Sequence, residues 1–471
     1  MSAYDLPFLA GLLEDETGRT IFIILAIVIG VVILGCAITL IVMAIQKKMR
    51  QKKAGKGNNE AKMLEEIERL NIEIYNLQKE NARLAELNGA LGENGFKGGR
   101  PGEEEEGGQR FTRLPIIDAD YAEGPFKVKT PEDSANLDLS AICERFRNFA
   151  CSQMKLYYTI DTVRAFFASM GTGKLIILEG ISGTGKTSLP YCMGRFFQHS
   201  ASICAVQPNW RDRSELLGYY NDFTKKFTET SFLAAIYEAT YRDDPSIIVL
   251  DEMNLARIEY YFAEFLSIME MPKADEWLVD VIAGPREDDP KHLKKGKLLI
   301  PQNIWFIGTA NNDDSTFTIT DKVYDRAMSL FFENKGKPFE APFTDPLPIQ
   351  ADYLIGLFEA AKQDHPMSQE LLDKFAVLDD FVIEHFRLAF GNRIMKQIQA
   401  FVPCYVACGG TELDALDFIF KSKILKKFEV LNVGYLKDEL LGLQEKLDEL
   451  FGETEFMLSR AKIALFLKMT K

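Results

Sequence analysis

The sequence predicts an α/β fold in which a parallel sheet carries helices on both faces, with a transmembrane helix and a coiled coil before it and a helical region after it. Three observations predict this fold class. Five strand-like apolar runs alternate with helical patterns between residues 174 and 332, which is typical of a parallel sheet. From about residue 346 the apolar spacing is helical only. Residues 21–45 contain no charged side chain.

The uncharged segment 21–45 predicts a transmembrane helix. At ~1.5 Å per residue, 25 residues cover roughly 37 Å, more than a ~30 Å hydrocarbon layer. A cleaved signal peptide is the alternative, but its apolar part would be only ~7 to 15 residues long and would follow basic rather than acidic residues. The basic segment 46–59 then predicts that residues 1–20 lie outside and the rest of the chain in the cytoplasm.

Residues 60–91 show heptad spacing. Position a holds Ile67, Ile74, Asn81 and Asn88, and position d holds Met63, Leu70, Leu77, Leu84 and Leu91. Isoleucine at a with leucine at d favours a parallel two-stranded coiled coil, in which a buried Asn81 would fix the register. A lone amphipathic helix remains the alternative, because the glutamates at position g have no matching lysine at position e.

The Gly-rich and Glu-rich residues 92–110 predict a flexible linker. They precede a predicted α/β domain over 111–345 and a helical C-terminal domain over 346–471. The net charge of −14 argues against a broad nucleic-acid surface, although a local basic groove stays open. Seven scattered cysteines predict reduced core thiols rather than a disulfide framework, and a metal at Cys404 and Cys408 is the weaker alternative.

A phosphate-binding loop is predicted where the pattern G-x-x-x-x-G-K-[ST] follows a strand and precedes a helix. Its residues are Gly180, Ser182, Gly183, Thr184, Gly185, Lys186, Thr187 and Ser188. The glycines let backbone N–H groups face phosphate, Lys186 reaches the β and γ phosphates, and Thr187 ligates Mg²⁺.

A second motif supplies carboxylates at the same sheet edge. Four apolar residues, 247–250, lead into Asp251 and Glu252. Ligands of open α/β sheets bind beyond the carboxyl ends of the strands, so both carboxylates are expected near the phosphate loop. We expect Asp251 to hold Mg²⁺ and Glu252 to activate the attacking water.

These motifs, with "QPNWRDRSELLGYYN", "DEMNLARIEYYFAEFLS" and "FIGTANNDDSTFTITDKVYDRA", resemble the AAA+ ATPases of the dynein-related group, most closely the McrB-like branch. The resemblance extends from about residue 138 to the C-terminus. It implies a P-loop α/β domain with a helical lid, assembled into a ring, usually a hexamer, with ATP or GTP and Mg²⁺ between subunits. With the anchor, it implies a single-pass protein of the inner membrane of a bacterium.

The resemblance assigns three further catalytic residues. Asn311 resembles the sensor that positions water, Arg326 the arginine presented to a neighbour's γ-phosphate, and Arg393 the lid arginine that senses nucleotide within its own subunit. Ala310 departs from the family's Met-Asn-x-x-Asp signature, whereas Asp314 matches it; this puts the use of GTP in doubt.

Alternatives remain for the two arginines. Arg326 fits an ordinary surface pair with Asp325, and Arg387 and Lys396 compete with Arg393 as the lid cation.

Two segments could contact a substrate, the "GYYND" stretch at 218–222 and a predicted hairpin at 292–302. The alternative for Tyr219 and Tyr220 is packing on the domain's own flank. Three functions stay open: a membrane-anchored motor that remodels a protein partner, with a role in bacterial defence; a DNA translocase with a separate nuclease subunit; and a nucleotide-gated scaffold with little turnover.

Overall fold

The computed structural model describes residues 109–129, 137–311, 313, 316–332 and 336–470. They belong to one compact unit, which spans Glu106–Lys471. The predicted coiled coil over 60–91 and most of the predicted linker lie outside the described residues. Arg110, the end of that linker, is buried and paired with Asp289, so the folded domain begins before residue 111.

The predicted membrane topology requires a correction. Within the described stretches, no helix combines the length and apolarity needed to cross a bilayer. The longest described helix, Gln369–Phe386, has 18 residues and carries a charged face. The transmembrane helix in the predicted fold class and the localisation as a single-pass membrane protein find no support in the structure and are not carried further. Residues 21–45 themselves lie outside the described part of the chain.

The described chain forms ten strands. They are β1 (Leu175–Gly180), β2 (Ser202–Ala205), β3 (Gly218–Asn221), β4 (Lys226–Glu229), β5 (Ser246–Asp251), β6 (Leu278–Asp280), β7 (Leu293–Lys294), β8 (Lys297–Leu299), β9 (Ile304–Asn311) and β10 (Met328–Phe332). Five of them build one sheet in the order β10-β1-β9-β5-β2, and every neighbouring pair is parallel. All five strands predicted from the apolar runs are confirmed.

The sheet is covered on both faces, as its sequence pattern requires. Along β1, Leu175 and Ile177 point into one hydrophobic core, whereas Ile176 and Leu178 point into the other. Strands β5 and β9 alternate in the same way. A strand buried on both faces needs a continuous apolar run, which explains why these strands were visible in the sequence.

Fifteen α-helices surround the sheet in the described residues. They are α1 (Leu114–Asp120), α2 (Leu139–Met154), α3 (Ile160–Thr172), α4 (Ser188–Phe196), α5 (Ser214–Leu217), α6 (Ser231–Ala239), α7 (Ile258–Tyr261), α8 (Ala263–Ile268), α9 (Asp321–Tyr324), α10 (Ala351–Asp364), α11 (Gln369–Phe386), α12 (Gly391–Ala407), α13 (Glu412–Ile419), α14 (Lys437–Phe451) and α15 (Met457–Leu467). Side chains cap the first turn of several of these helices. Asp138 accepts from the Ala141 amide before α2, and Thr159 accepts from the Thr162 amide before α3.

The C-terminal helices share a hydrophobic core with the sheet. Helices α10 to α15 contribute to the same cluster as Ile176 and Trp305. The contact to α3 is close, since a Cβ added at Gly171 would lie 2.7 Å from the Phe358 ring. Cys143 on α2 contacts Cys408 just beyond α12, and burial raises the pKa of Cys408. The C-terminal helices and the sheet are therefore packed as one body.

Two small antiparallel sheets lie outside the main sheet. Strands β3 and β4 form a hairpin, and β6, β8 and β7 form a three-stranded sheet. The hairpin predicted at 292–302 is confirmed as β7 and β8, with Lys295 and Gly296 in the left-handed region at its turn.

Candidate functional site

The loop between β1 and α4 has the backbone that a phosphate site requires. Gly180, Gly183 and Gly185 have φ values of 140°, 76° and 94°, which side chains other than hydrogen rarely allow. A Cβ on Gly180 would lie 2.2 Å from the Phe332 carbonyl oxygen, whereas one on Gly183 would meet nothing within 4 Å. Gly180 is thus needed for strand packing, and Gly183 borders open space.

The side chain of Lys186, near the end of this loop, folds back over the start of the loop. The side chain is buried, and its Nζ donates to the carbonyl oxygens of Gly180, at 2.9 Å, and Ile181, at 2.8 Å. Burial lowers the pKa of Lys186, against the effect of the Asp251 and Glu252 carboxylates. Among the described residues, the hydrogen-bond acceptors of this ammonium group are neutral carbonyl oxygens, so a phosphate at the loop would meet a desolvated cation.

Thr187 and Asp251 meet at the carboxyl edge of the sheet. Thr187 is the cap residue of α4 but makes no side-chain cap; its hydroxyl instead donates to Asp251 Oδ1 at 2.8 Å. The Thr187 side chain therefore does not cap the helix start, where the Leu189 N–H donates to the Gly185 carbonyl at 3.1 Å and Pro190 has no N–H. An N–H group left without a protein acceptor at a helix start would favour an anion. Thr309 on β9 also donates to Asp251 Oδ1, at 2.7 Å. Two hydroxyls therefore fix the Asp251 carboxylate beside the loop.

The remaining residues of the loop lie next to Lys186 and Thr187 in the sequence. Ser182 and Gly183 are exposed, Thr184 donates from Oγ1 to the Ile181 carbonyl at 2.8 Å, and Ser188 begins α4. The structure therefore brings the whole predicted phosphate-binding set together at one strand-to-helix junction.

Glu252 and Asn311 are also brought together. Asn311 Nδ2 donates to Glu252 Oε1 at 3.3 Å. Glu252 has a φ of 52°, a left-handed conformation that is costly for a side chain and is held by its amide donating to Thr309 Oγ1 at 2.8 Å. The predicted water-activating carboxylate and its predicted sensor amide are thus neighbours across β5 and β9.

Asn254 is a site residue that the sequence interpretation missed. It is buried, its Nδ2 donates to the Asn311 carbonyl at 2.8 Å, and its Oδ1 accepts from the Asn311 amide at 3.3 Å. Both backbone groups of Asn311 are therefore fixed by one side chain. Thr309 was missed as well. Both lie within stretches quoted for the family resemblance, but no role was assigned to either of them there; the pairing of β5 with β9 identifies them as site residues.

Arg326 and Arg393 lie together on a different carboxylate. Arg326 Nη2 contacts Glu270 Oε2 at 2.8 Å, and Arg393 Nη2 contacts Glu270 Oε1 at 2.6 Å. The surface pair of Arg326 with Asp325 is not the observed arrangement, because Asp325 pairs with Lys427 at 3.2 Å. Both arginines thus share one carboxylate that is not part of the phosphate loop. Asp314 lies outside the described residues.

The donor set fits Mg²⁺ held together with phosphate. In the described residues there is no cluster of three or more His, Cys, Asp or Glu side chains that could hold a metal ion alone. Mg²⁺ bound with nucleotide typically takes only one or two protein oxygens and otherwise uses phosphate and water. The adjoining oxygens of Thr187 and Asp251 meet that requirement.

The predicted substrate-contacting stretch divides between surface and core. On β3, Tyr219 is exposed and Tyr220 packs on the domain, as strand alternation dictates. At the tip of the β3–β4 hairpin, Phe223 is 99% exposed, although the sequence interpretation had not named it.

Cys404 and Cys408 are buried, as expected for core thiols, and burial raises the pKa of Cys404 to about 12.

No family model matches the chain, and no curated protein matches it. Among solved structures, it is similar to a candidate ATPase from Cytophaga hutchinsonii with 12% sequence identity and a TM-score of 0.40. The match covers 59% of this chain and 86% of that chain. Similarity at this level carries no argument, so function is inferred from the site itself.

Proposed function

We propose that the chain is a P-loop NTPase that binds ATP or GTP with Mg²⁺ and hydrolyses it. The bond between the Thr187 hydroxyl and the Asp251 carboxylate carries this proposal, because it joins two predicted ligands that lie 64 residues apart in the sequence. Bound Mg²⁺ would neutralise charge that develops on the phosphates. Lys186 and the N–H groups at the start of α4 would bind the phosphates.

The second half of the site supports hydrolysis rather than binding alone. Glu252 would orient and deprotonate the attacking water, and Asn311, at 3.3 Å from it, would hold that carboxylate in place. Arg326 would act on nucleotide bound to a neighbouring copy, so the active form would be a self-association of chains. The resemblance to ring-forming McrB-like motors supports this assembly as a proposal.

Glu252→Gln tests the proposal directly. Turnover of ATP and GTP by the full chain is expected to fall by at least about 100-fold, the usual contribution of a general base. Nucleotide affinity should persist, since the phosphate-binding groups remain. The matched control is Glu370→Gln, which alters an exposed pair with Lys374 and should leave turnover unchanged.

Steady-state phosphate release and equilibrium nucleotide binding are the measurements. Turnover in Glu252→Gln equal to that of the wild type would contradict the catalytic assignment. Binding without turnover in the wild type would instead favour a nucleotide-gated scaffold.

A further inference from the structure

The hydroxyl of Thr309, on β9, contacts both acidic residues at the carboxyl end of β5. Thr309 is buried, with 2% of its surface exposed. Its Oγ1 donates to Asp251 Oδ1 at 2.7 Å and accepts from the Glu252 amide at 2.8 Å. A hydroxyl group has one proton to donate, so the two bonds form together only when that proton is directed at Asp251. The protein therefore fixes the orientation of this hydroxyl.

The register of the sheet explains why Thr309 lies at this point. Val249 on β5 pairs with Ile307 on β9. Side chains two residues apart on a strand lie on the same face of the sheet. Asp251 and Thr309 each follow that pair by two residues, so their side chains meet on one face at the carboxyl edge.

Glu252 depends on Thr309 for its backbone conformation. Its φ of 52° lies in the left-handed region, where a residue with a side chain stays only if its surroundings hold it. The next residue is fixed by other contacts: a Cβ added at Gly308 would lie 1.8 Å from Met253 Sδ, and the Met253 carbonyl accepts from the Tyr261 hydroxyl at 2.8 Å. Loss of the Thr309 hydroxyl should therefore release Glu252 without displacing Met253.

Asp251 has a second hydroxyl donor, in contrast to the Glu252 amide. Thr187 Oγ1 also donates to Asp251 Oδ1, at 2.8 Å. Because Thr187 belongs to the phosphate loop and Thr309 to β9, Asp251 stays attached to the loop when the bond from Thr309 is removed. Loss of the Thr309 hydroxyl should thus disturb Glu252 more than the phosphate-binding groups.

We propose that Thr309 is a positioning residue whose hydroxyl holds the water-activating Glu252 in a fixed place relative to Asp251, the proposed Mg²⁺ ligand. This inference rests on the proposed NTPase function. Thr309 acts through these two residues rather than on the nucleotide. Turnover then depends on the Thr309 hydroxyl, whereas nucleotide affinity does not.

Thr309→Val in the full chain tests this role, because valine has the shape of threonine without the hydroxyl. Turnover of ATP and GTP per folded chain should fall about 10- to 100-fold, the usual effect of removing a group that orients a site residue. Equilibrium nucleotide affinity in the presence of Mg²⁺ should stay close to that of the wild type. Thr309→Ala is interpreted in the same way if Thr309→Val does not fold.

Two further variants serve as controls. Thr309→Ser keeps the hydroxyl and should recover most of the turnover. Thr172→Val removes a hydroxyl that donates to the Ala168 carbonyl at 2.7 Å within α3, so it should leave turnover unchanged. Equal losses in Thr309→Ser and Thr309→Val would assign the effect to packing and overturn the proposal.

Hydrogen exchange at the Glu252 amide tests the same contact without nucleotide or Mg²⁺. This amide should exchange faster in Thr309→Val than in the wild type or in Thr309→Ser, because its hydrogen-bond acceptor is lost. Unchanged exchange would overturn the proposal. The measurement is independent of turnover, so a wild-type chain that hydrolyses neither nucleotide would count against the proposed function and leave this test in force.

Combining Thr309→Val with Glu252→Gln shows which carboxylate transmits the effect. If Thr309 acts by positioning Glu252, Thr309→Val should lower turnover much less in the Glu252→Gln background than in the wild type, because residues that act as a unit are not additive. An equal fold-loss in both backgrounds would contradict action through Glu252. Nucleotide affinity that falls as much as turnover would likewise overturn the positioning role.

Discussion

At the residue scale, the loop glycines carry different constraints although they share one motif. Gly180 meets the backbone of β10, and Gly183 borders open space. The sequence pattern treats them as equivalent, because it records only that glycine is present. The structure separates a packing requirement from a binding requirement.

Gly180→Ala and Gly183→Ala should therefore have different effects. Gly180→Ala places a Cβ against the Phe332 carbonyl, so we expect a loss of 1 to 3 kcal/mol or more in the free energy of unfolding, on the order of an overpacked core site. Gly183→Ala should cost only about 1 kcal/mol in stability but weaken nucleotide binding. Denaturant unfolding and nucleotide titration measure both; equal destabilisation would contradict the distinction.

Asn254 is predicted to act by positioning Asn311. Asn254→Ala removes the acceptor of the Asn311 amide and one of the two side-chain donors to the Asn311 carbonyl, which keeps Thr316 Oγ1 at 2.9 Å; this should cost about 1 to 3 kcal/mol in stability. It should also lower turnover per folded chain without weakening nucleotide binding. Asn303→Ala is the matched control, since Asn303 is a buried asparagine beside the other end of β9 and donates to three carbonyls. Comparable loss of turnover in both variants would argue against positioning.

At the element scale, β1 is tied to the C-terminal region through a buried charge. Glu179 accepts from the Tyr324 hydroxyl at 2.8 Å and pairs with Lys426 at 3.2 Å. Burial raises the pKa of Glu179, and Lys426 acts in the opposite direction. Because Glu179 directly precedes the loop after β1 and Tyr324 ends α9, these contacts join β1, α9 and the segment that carries Lys426.

Glu179→Gln should destabilise this junction. The amide can still accept from Tyr324, but among the described residues Glu429 is then the one carboxylate paired with Lys426, so we expect a loss of about 1 to 3 kcal/mol in the free energy of unfolding. Glu359→Gln, which alters a surface pair with Lys362, is the control and should change little. The measurement is chemical denaturation of both variants. If Glu179→Gln were as stable as the wild type, the junction would make no net contribution to the free energy of unfolding.

The sequence predicted elements better than it predicted contacts between them. The five sheet strands were identifiable because each is a short apolar run, and the phosphate loop because its glycines and lysine occupy fixed spacings. Phe223 and Glu270 were not identifiable. The exposure of Phe223 and the ion pairs of Glu270 depend on where a hairpin tip and a helix end lie in space, and no local periodicity encodes either position.

At the scale of the whole molecule, the C-terminal helices and the sheet share one core. This was not predictable from the pattern after residue 346, which is equally consistent with a separate helical domain. The amphipathic pattern of these helices predicts that one face of each helix is buried, but it does not predict which element buries that face. The identity of the covering surface emerges from the α3 and α12 packing, which joins residues far apart in the chain.

A site shared between copies predicts that activity depends on protein concentration. Turnover per wild-type chain should rise with concentration and fall toward background on dilution, because the proposed function takes Arg326 from a neighbouring copy. Nucleotide affinity should change little, since the phosphate loop and Lys186 belong to one chain. Phosphate release measured over a dilution series, with nucleotide binding in parallel, checks this; constant turnover per chain would exclude a shared site.

The buried thiols have a kinetic consequence. Cys143 and Cys408 contact each other between α2 and the end of α12, and an alkylating reagent requires the exposed thiolate. Labelling at these two positions would therefore proceed only as fast as the helices part. The labelling rate at Cys143 and Cys408 would therefore report how often α2 and the end of α12 separate, and measuring it with and without nucleotide would show whether nucleotide changes that rate.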